Sequence, residues 1–407
     1  MKVFLTIWCL HLNFTLLAED SYHFVHLQAE GAQERSQIAD YIHIDRIIED
    51  DVYATVNSFD LNILKTFLPD KIVTSHSLDF PYDADPTESD VYEFPKVDHA
   101  YHTYNDVLDV IDSLSREYPQ IVEVFTLGKT VEGYDIPLIR ITHKKNRASD
   151  FFVPGILFVG SHHAREHLST EIPLMLARHL AENYEFDESI RELVNSRDIY
   201  IVPVLNVDGK LHDIKGRRYK WWRKNRSFNE GTSARGVDLN RNYSYNWGGR
   251  GSSKRPRSET YRGPAPFSEP ETQAIKNFIE TTHNIRILLS YHTYSELILY
   301  PWSSSFDGVG GMDQQIFETM AQDMSRWNNY APQQSSELYL HSGGTCDWAY
   351  GIHNIYCFSF ELSPSPWGMR VGFYPGNDII EPTFQINLGP ALYLMEYSDN
   401  PSRVLAK

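Results

Sequence analysis

The apolar run at 155–159 runs directly into Gly160-Ser161-His162-His163-Ala164-Arg165-Glu166, and helically spaced apolar positions follow over 168–184. No other feature of the 407 residues constrains the fold as much. The run predicts a buried strand, and the spacing after it a helix. In open α/β sheets, ligands and cofactors bind where such a strand ends. His163 and Glu166 stand there, three residues apart. An imidazole and a carboxylate together suit a zinc ion that keeps one position open for water. Taken alone the pair is a weak signal, because His-x-x-Glu arises often by chance.

Strand and helix alternate in the same way from residue 104 onward. A helix is predicted over 104–118, closed by Pro119, then strands over 121–127, 136–142 and 199–205. The last ends at Asn206-Val207-Asp208-Gly209, a turn signal. A strand over 285–290 leads to Tyr291-His292, and one over 356–360 leads to Glu361. Three chemically useful groups thus follow three strands, and one sheet can make neighbours of them. Residues 22–80 read differently, with strands at 22–27, 52–59 and 72–80 and helices at 33–41 and 61–68. That β-α-β-α-β order predicts a small two-layer domain. A linker rich in Asp, Pro and Tyr covers 81–95, and Lys96 follows as an exposed basic residue that a trypsin-like protease would cut.

Residues 1–18 read as a secretory signal: Met1-Lys2, an apolar run over 3–17, then cleavage after Ala18. The run is shorter than the roughly 20 residues of a membrane span and contains His11 and Asn13, so no membrane anchor is expected. Of the net charge of −17, the segment 19–96 carries −12, from 17 acidic and 5 basic side chains. Such acidity serves solubility, or a detachable cap over a basic cleft. It also excludes the basic field that nucleic acid requires. Cys9 leaves with the signal, so Cys346 and Cys357 permit at most one disulfide and an apolar core must stabilise the fold. Beyond the expected signal, two glycosylation sequons begin at Asn225 and Asn242; both fall within segments assigned below to the active site, and they are expected to be unused.

A zinc site needs a third protein ligand, and His292 at a strand end is the natural one, although a lone histidine there is more often a core residue. Asp238 can accept the second N–H of His163. Arg241 or Arg223 can grip a carboxylate bidentately or face a developing oxyanion. Glu361, at the end of a buried strand, is costly unless paired or used, and so is a candidate general base.

With these segments in order, the chain resembles a secreted zinc carboxypeptidase of the carboxypeptidase A family in proenzyme form, from about residue 101 to 397. His163-Ala164-Arg165-Glu166 is similar to the family's first zinc motif, and His292-Thr293-Tyr294-Ser295 to the segment with its third ligand. Trp222-Arg223-Lys224 resembles the segment with the oxyanion-stabilising Arg. Asp238-Leu239-Asn240-Arg241-Asn242 resembles the one whose Asn and Arg hold the substrate carboxylate. Tyr339 matches the mobile tyrosine, and Phe358-Ser359-Phe360-Glu361-Leu362 the segment with the general base.

The resemblance implies a three-layer α/β/α catalytic domain with a mixed central sheet over 97–407, preceded by a ferredoxin-like α+β propeptide domain and linker over 19–96. It also implies one zinc ion per chain on His163, Glu166 and His292, with Asp238 behind His163. Catalysis would fall to Glu361 and Arg223, and the free carboxylate of peptide and protein substrates to Arg241 and Asn240, assisted by Arg165 and Tyr339. A secreted, extracellular monomer is expected, activated by a trypsin-like protease, with no nucleic-acid or membrane partner. The base of the specificity pocket falls at Cys346, neither the Asp expected for basic ends nor an Arg for acidic ones. With Leu299, Ser303, Leu338 and Ser359 as neighbours, uncharged aliphatic or aromatic C-terminal residues are expected. The alternatives are a basic preference and a non-catalytic peptide-binding homologue. Either Cys346 stands free in the pocket or it pairs with Cys357 and reshapes the floor.

Overall fold

The computed structural model describes residues 21–78, 90–147, 153–363 and 372–406; the expected signal and most of the expected linker lie outside the described residues. The N-terminal unit consists of β1 (Tyr22–Gln28), α1 (Gly31–Ala39), β2 (Arg46–Ile48), β3 (Asp51–Asn57), α2 (Ser58–Phe67) and β4 (Ile72–Leu78). Its antiparallel sheet has the order β2-β3-β1-β4, the ferredoxin-like β-α-β-β-α-β arrangement. The sequence reading lacked β2. With three residues, none of them buried, that strand carries no alternation to detect.

The larger unit begins with α3 (Tyr104–Glu117), β5 (Val122–Lys129), β6 (Asp135–Ile141), a short α4 (Lys144–Arg147) and β7 (Gly155–Val159). It continues through α5 (Leu168–Asn183), α6 (Glu188–Ser196), β8 (Asp198–Val202), α7 (Val207–Ile214), α8 (Pro270–Thr281), β9 (Ile285–Thr293) and β10 (Leu297–Tyr300). It closes with α9 (Gly311–Asn328), β11 (Ala331–Gln334), α10 (Thr345–His353), β12 (Tyr356–Leu362) and α11 (Ile380–Tyr397). The eight strands form one mixed sheet in the order β11-β10-β12-β9-β7-β8-β6-β5. The centre from β12 to β8 is parallel, with antiparallel neighbours on both sides.

Strand side chains alternate between faces, so each central strand feeds two cores. Ile156 and Phe158 of β7 join Ile199 and Ile201 of β8 beneath α5, α9 and α11. Leu157, Val159, Tyr200 and Val202 turn the other way, toward α8 and α10. Both faces are covered, which explains why β7 and β8 read as continuous apolar runs. Two boundaries differ from the sequence reading. The strand before residue 206 stops at Val202, and Asn206 opens α7 by accepting from the Gly209 amide at 3.0 Å, where a turn was expected. His292 and Glu361 lie inside β9 and β12, paired side by side across the ladder, where they were expected just beyond the strands.

Residues 90–98 lie on the larger unit. Phe94 is buried in its main core, Gly216 donates its amide to the Val91 carbonyl at 2.7 Å, and Asp98 accepts from Tyr219 at 2.9 Å. Lys96 is exposed in a short 3-10 turn between buried Pro95 and buried Asp98.

Candidate active site

At the end of β7 the chain turns sharply through Gly160. A Cβ there would collide with the carbonyls of Ser169 and Pro203, so only glycine lets the strand cross beneath the helix that follows. The turn aims His163 and Glu166 at the sheet edge where His292 sits near the end of the β9 ladder, one residue before Thr293 closes the strand. Glu166 Oε1 lies 2.7 Å from His163 Nδ1, Glu166 Oε2 lies 3.0 Å from His292 Nδ1, and the two Nδ1 atoms are 3.2 Å apart. All three side chains are buried. Tetrahedral zinc with bonds of about 2.0–2.1 Å spaces its ligand atoms by roughly 3.3 Å, so this donor set fits the ion. Among the described residues it is the cluster of His, Cys, Asp and Glu able to hold a metal.

The nitrogens turned away from the centre are also held. His163 Nε2 meets Asp238 Oδ1 at 3.1 Å, and His292 Nε2 meets Ser290 Oγ at 2.9 Å. Burial works against the charge of Asp238, but Arg223, Arg241 and His163 outweigh it and hold this carboxyl well below the usual range. Burial also opposes ionisation of Glu166, and the two facing imidazoles reverse that and lower it. Glu361 behaves in the opposite way. Burial and the charge of Glu166 push it well above the ordinary glutamate value, and Arg223 and Arg241 offset only part of that rise.

One cavity is lined by His163, Glu166, His292, Arg223, Asn240, Arg241, Tyr339, Cys346 and Glu361, so the structure brings together nearly all the residues that the sequence singled out. Arg223 Nε donates to Asp238 at 3.1 Å, while its Nη1 makes no hydrogen bond and stands 3.6 Å from Glu166. Arg241 is buried and held by the carbonyls of Gly251 and Asn240, each at 2.8 Å, with no carboxylate at ion-pair distance among the described residues. Arg165 is not in this lining; it lies behind, between Glu259 at 3.5 Å and Asp45 of the N-terminal unit at 3.3 Å. Asp238 too is behind the cavity wall. Cys346 forms a disulfide with Cys357, so the thiol reading of the pocket base gives way to a bridge joining α10 to β12. Leu299, Ser303, Ser335, Leu338 and Ser359 complete that end of the cavity.

Sequence reasoning missed two groups of residues here. His43, which lines the cavity, and Asp45, which pairs with Arg165, come from the N-terminal unit and carry no local motif. Ser290 and Thr345 are ordinary in type, and only their position behind His292 and Asn240 marks them. The N-terminal unit also grips the Tyr339 loop. Arg35 donates to the carbonyls of Leu338 and Glu337 at 2.8 and 2.6 Å, Leu340 donates its amide to Ser36 at 2.8 Å, and the Tyr339 hydroxyl reaches the Ile44 carbonyl at 3.3 Å. Tyr339 itself completes the apolar core of the N-terminal unit. The cavity is left with about 50 Å³, against roughly 300–1,000 Å³ for open ligand pockets. Both sequon asparagines are buried: Asn225 donates to Glu269 and Glu271 at 2.7 and 3.1 Å, and Asn242 to the Arg262 carbonyl at 2.9 Å. In the folded chain neither amide is open to a glycan, for reasons of packing more than of substrate access.

A mixed sheet carrying two imidazoles and a carboxylate at its edge, with buried guanidinium groups around them, defines a metallopeptidase acting near a charged chain end. The zinc carboxypeptidase profile matches residues 107–388, and the chain belongs to that family. It is 32% identical to a zinc carboxypeptidase of Saccharothrix mutabilis subsp. capreolus over 77% of this chain and 73% of the relative. To carboxypeptidase A1 of Sus scrofa it is 34% identical, over 74% of this chain and 70% of the relative. The crystal structure of thrombin activatable fibrinolysis inhibitor superposes with a TM-score of 0.73 at 26% identity, covering 94% of this chain and all of that one. Carboxypeptidase A from Helicoverpa armigera shares the fold with a TM-score of 0.76 at 23% identity, over 94% and 99% of the two chains. The protein is thus a zinc-dependent metallocarboxypeptidase, of a class that acts on peptides with a free C-terminus. Among the described residues no helix is long and apolar enough to cross a membrane.

Proposed function

We propose that the chain is a secreted proenzyme whose catalytic unit removes uncharged aliphatic or aromatic residues from the C-termini of peptides and proteins. The observation that carries this reading is Arg241, a buried guanidinium that rests on the carbonyls of Gly251 and Asn240 and near the Tyr339 hydroxyl, with no carboxylate at ion-pair distance among the described residues, in the same cavity as the three zinc donors. A terminal carboxylate supplies the counter-ion it lacks, and an internal peptide does not; leaving a buried charge unpaired costs several kcal/mol. His163, Glu166 and His292 would hold the zinc, which when bound would acidify a water and polarise the scissile carbonyl. Glu361 accepts the water proton and delivers it to the leaving amine, and its raised proton affinity suits both halves of that transfer. Arg223 turns its unbonded Nη1 toward the oxygen that gains charge. Asn240 and Arg241 fix the carboxylate, and Tyr339 closes over it once released from the N-terminal unit.

The far end of the cavity supports the preference for uncharged ends. Its lining there is Leu299, Ser303, Ser335, Leu338, Ser359 and the disulfide, and the acidic groups of the lining, Glu166 and Glu361, both stand at the metal end. Residues 19–96 act as the cap, with Lys96 as the cleavage point. The Cys346–Cys357 bridge fits an oxidising, extracellular compartment. The test is a panel of blocked dipeptides varied at the C-terminal residue, assayed before and after trypsin and with a zinc chelator. Leu and Phe ends are expected to exceed Lys and Asp ends by roughly 100-fold, since an uncompensated charge is costly to bury. Trypsin should raise the rate and chelation abolish it. Faster release of Lys or Arg, or equal rates before and after trypsin, would overturn the corresponding part of the reading.

A further inference from the structure

His162, the neighbour of the zinc donor His163, is fully buried and has no place in the chemistry above. Its ring stacks on that of His292, with centroids 5.5 Å apart. Its Nδ1 lies 3.2 Å from Ser290 Oγ, the same oxygen that meets His292 Nε2 at 2.9 Å. On its other side, Nε2 lies 3.1 Å from both Thr345 Oγ1 and Tyr243 Oη. Thr345 then donates to Asn240 Oδ1 twice, from its amide at 2.9 Å and its hydroxyl at 3.1 Å.

Donor counting gives this chain a single direction. A His292 that offers its Nδ1 lone pair to the centre carries its proton on Nε2 and donates it to Ser290. Ser290 spends its one proton on His162 Nδ1, so His162 carries its proton on Nε2 and donates to Thr345 or Tyr243. The Thr345 hydroxyl is then free to donate to Asn240 Oδ1, which fixes the amide flip. The oxygen is consumed by Thr345, and the NH2 end is left for an anion in the cavity. Asn240 is tied back to the other zinc donor as well, since its backbone N–H and His163 Nε2 share Asp238 Oδ1 at 3.0 and 3.1 Å.

We propose that His162 is a positioning residue that couples the metal ligand His292 to the carboxylate-holding face of Asn240. The proposal rests on the zinc and carboxylate roles assigned under Proposed function. The coupling runs from the metal side: a His292 displaced from the pose that turns Nδ1 to the centre loosens Asn240, which also leans on Asp238 behind His163.

The test uses the full chain with the substitutions H162L, H162Q, S290A and T345V. Zinc affinity is read by competition with a chromophoric chelator. Carboxylate affinity is read by calorimetry with N-acetyl-leucine on the zinc-saturated, trypsin-treated protein. H162L and S290A should lose about 10–100-fold in zinc affinity, the usual effect of removing a partner behind a metal ligand, and about tenfold in N-acetyl-leucine affinity. H162Q, which keeps one acceptor and one donor, should recover most of both. T345V should weaken N-acetyl-leucine by a similar factor and leave zinc within about twofold, because it cuts only the last link. Should H162L fail to fold, S290A and T345V carry the same comparison from either end. Zinc affinity lost with N-acetyl-leucine binding intact in H162L or S290A would reduce the chain to a buttress for His292 and overturn the coupling. No loss of either affinity would overturn the proposal outright. A wild-type protein that bound no zinc, or no N-acetyl-leucine, would instead overturn the reading of the site itself.

Discussion

Glu361 is buried near the charges of Glu166 and of Asp45 in the N-terminal unit, so its ionised form is disfavoured by burial and by two neighbouring negative groups. Structural duty alone gives no reason to keep a carboxylate there, and Glu361→Gln should preserve volume and fold. We expect kcat to fall by about 10²–10⁴, with KM and bound zinc nearly unchanged, as activity and metal analysis of the activated enzyme would show. A variant that kept its rate would remove Glu361 from the mechanism. His163, Glu166, His292 and Glu361 were legible in the sequence because imidazoles and carboxylates are expensive beside apolar strands and so announce themselves, whereas the roles of Arg223 and Arg241 were found through the segments that resemble family motifs. Ser290, Thr345 and His162 were not legible for the same reason reversed. Small hydroxyl residues are common in any core, and a second histidine beside His163 is marked only by the hydrogen bonds at both of its nitrogens, which no local pattern carries.

Among the elements, the contact between α10 and β12 governs the far end of the pocket. β12 carries Ser359 and Glu361 on one parity, and Cys357 shares it, so the bridge to Cys346 lies in the wall that a substrate side chain would meet. Replacing both cysteines by serine should cost about 2–3 kcal/mol, measured as a lower urea midpoint, because the loop between them is short. KM should rise for large C-terminal residues in particular. Labelling of either thiol in the folded, unreduced protein would show that the bridge is absent. The strands with continuous apolar runs were found from sequence to within a few residues. The errors fell where tertiary pairing extends an element beyond its local pattern. β9 continues through Tyr291, His292 and Thr293 because β12 offers a parallel partner as far as Leu362, which no periodicity in either segment reveals. Asn206 was read as a turn residue, yet the same side-chain oxygen that makes asparagine a turn former caps a helix here.

At the scale of the molecule, the acidic N-terminal unit does not act as a diffuse negative field. Among the described residues, two of its carboxylates reach cations of the larger unit, Asp45 to Arg165 at 3.3 Å and Asp40 to Arg250 at 2.8 Å, beside hydrogen bonds and apolar contact. Burial raises Asp45 to about 6 and Asp60 to about 7, and raises Glu259, which donates its amide to Asp60 at 2.9 Å. Burial lowers His43, which opposes them. Each raised acid contributes docking stability that is complete below its free value near 3.8–4.5 and is lost as pH climbs through the docked value. His43 contributes above about 6.5 and loses that contribution as pH falls. The docked values of Asp45 and Asp60 both fall between pH 5 and 8, so these two acids take up protons on docking over that range. After trypsin, the N-terminal fragment should therefore remain bound longer at pH 5 than at pH 8, by roughly tenfold or more in dissociation rate, as size-exclusion chromatography with timed activity would show. Faster release at pH 5 would reverse the assigned balance. The strap at 90–98 adds a matter of timing. With Phe94 sunk in the main core on one side of Lys96 and Asp98 tied to Tyr219 on the other, a protease finds no extended substrate at rest. If the chain is cut after Lys96 as proposed, the protease must wait for that stretch to lift, and the rate then follows how often the strap is open, not how well the protease recognises lysine. Phe94→Ala should then shorten the lag before activity at a fixed protease dose, and an unchanged lag would place the cut elsewhere. Such a molecule keeps a clock in its surface, wound by one aromatic side chain.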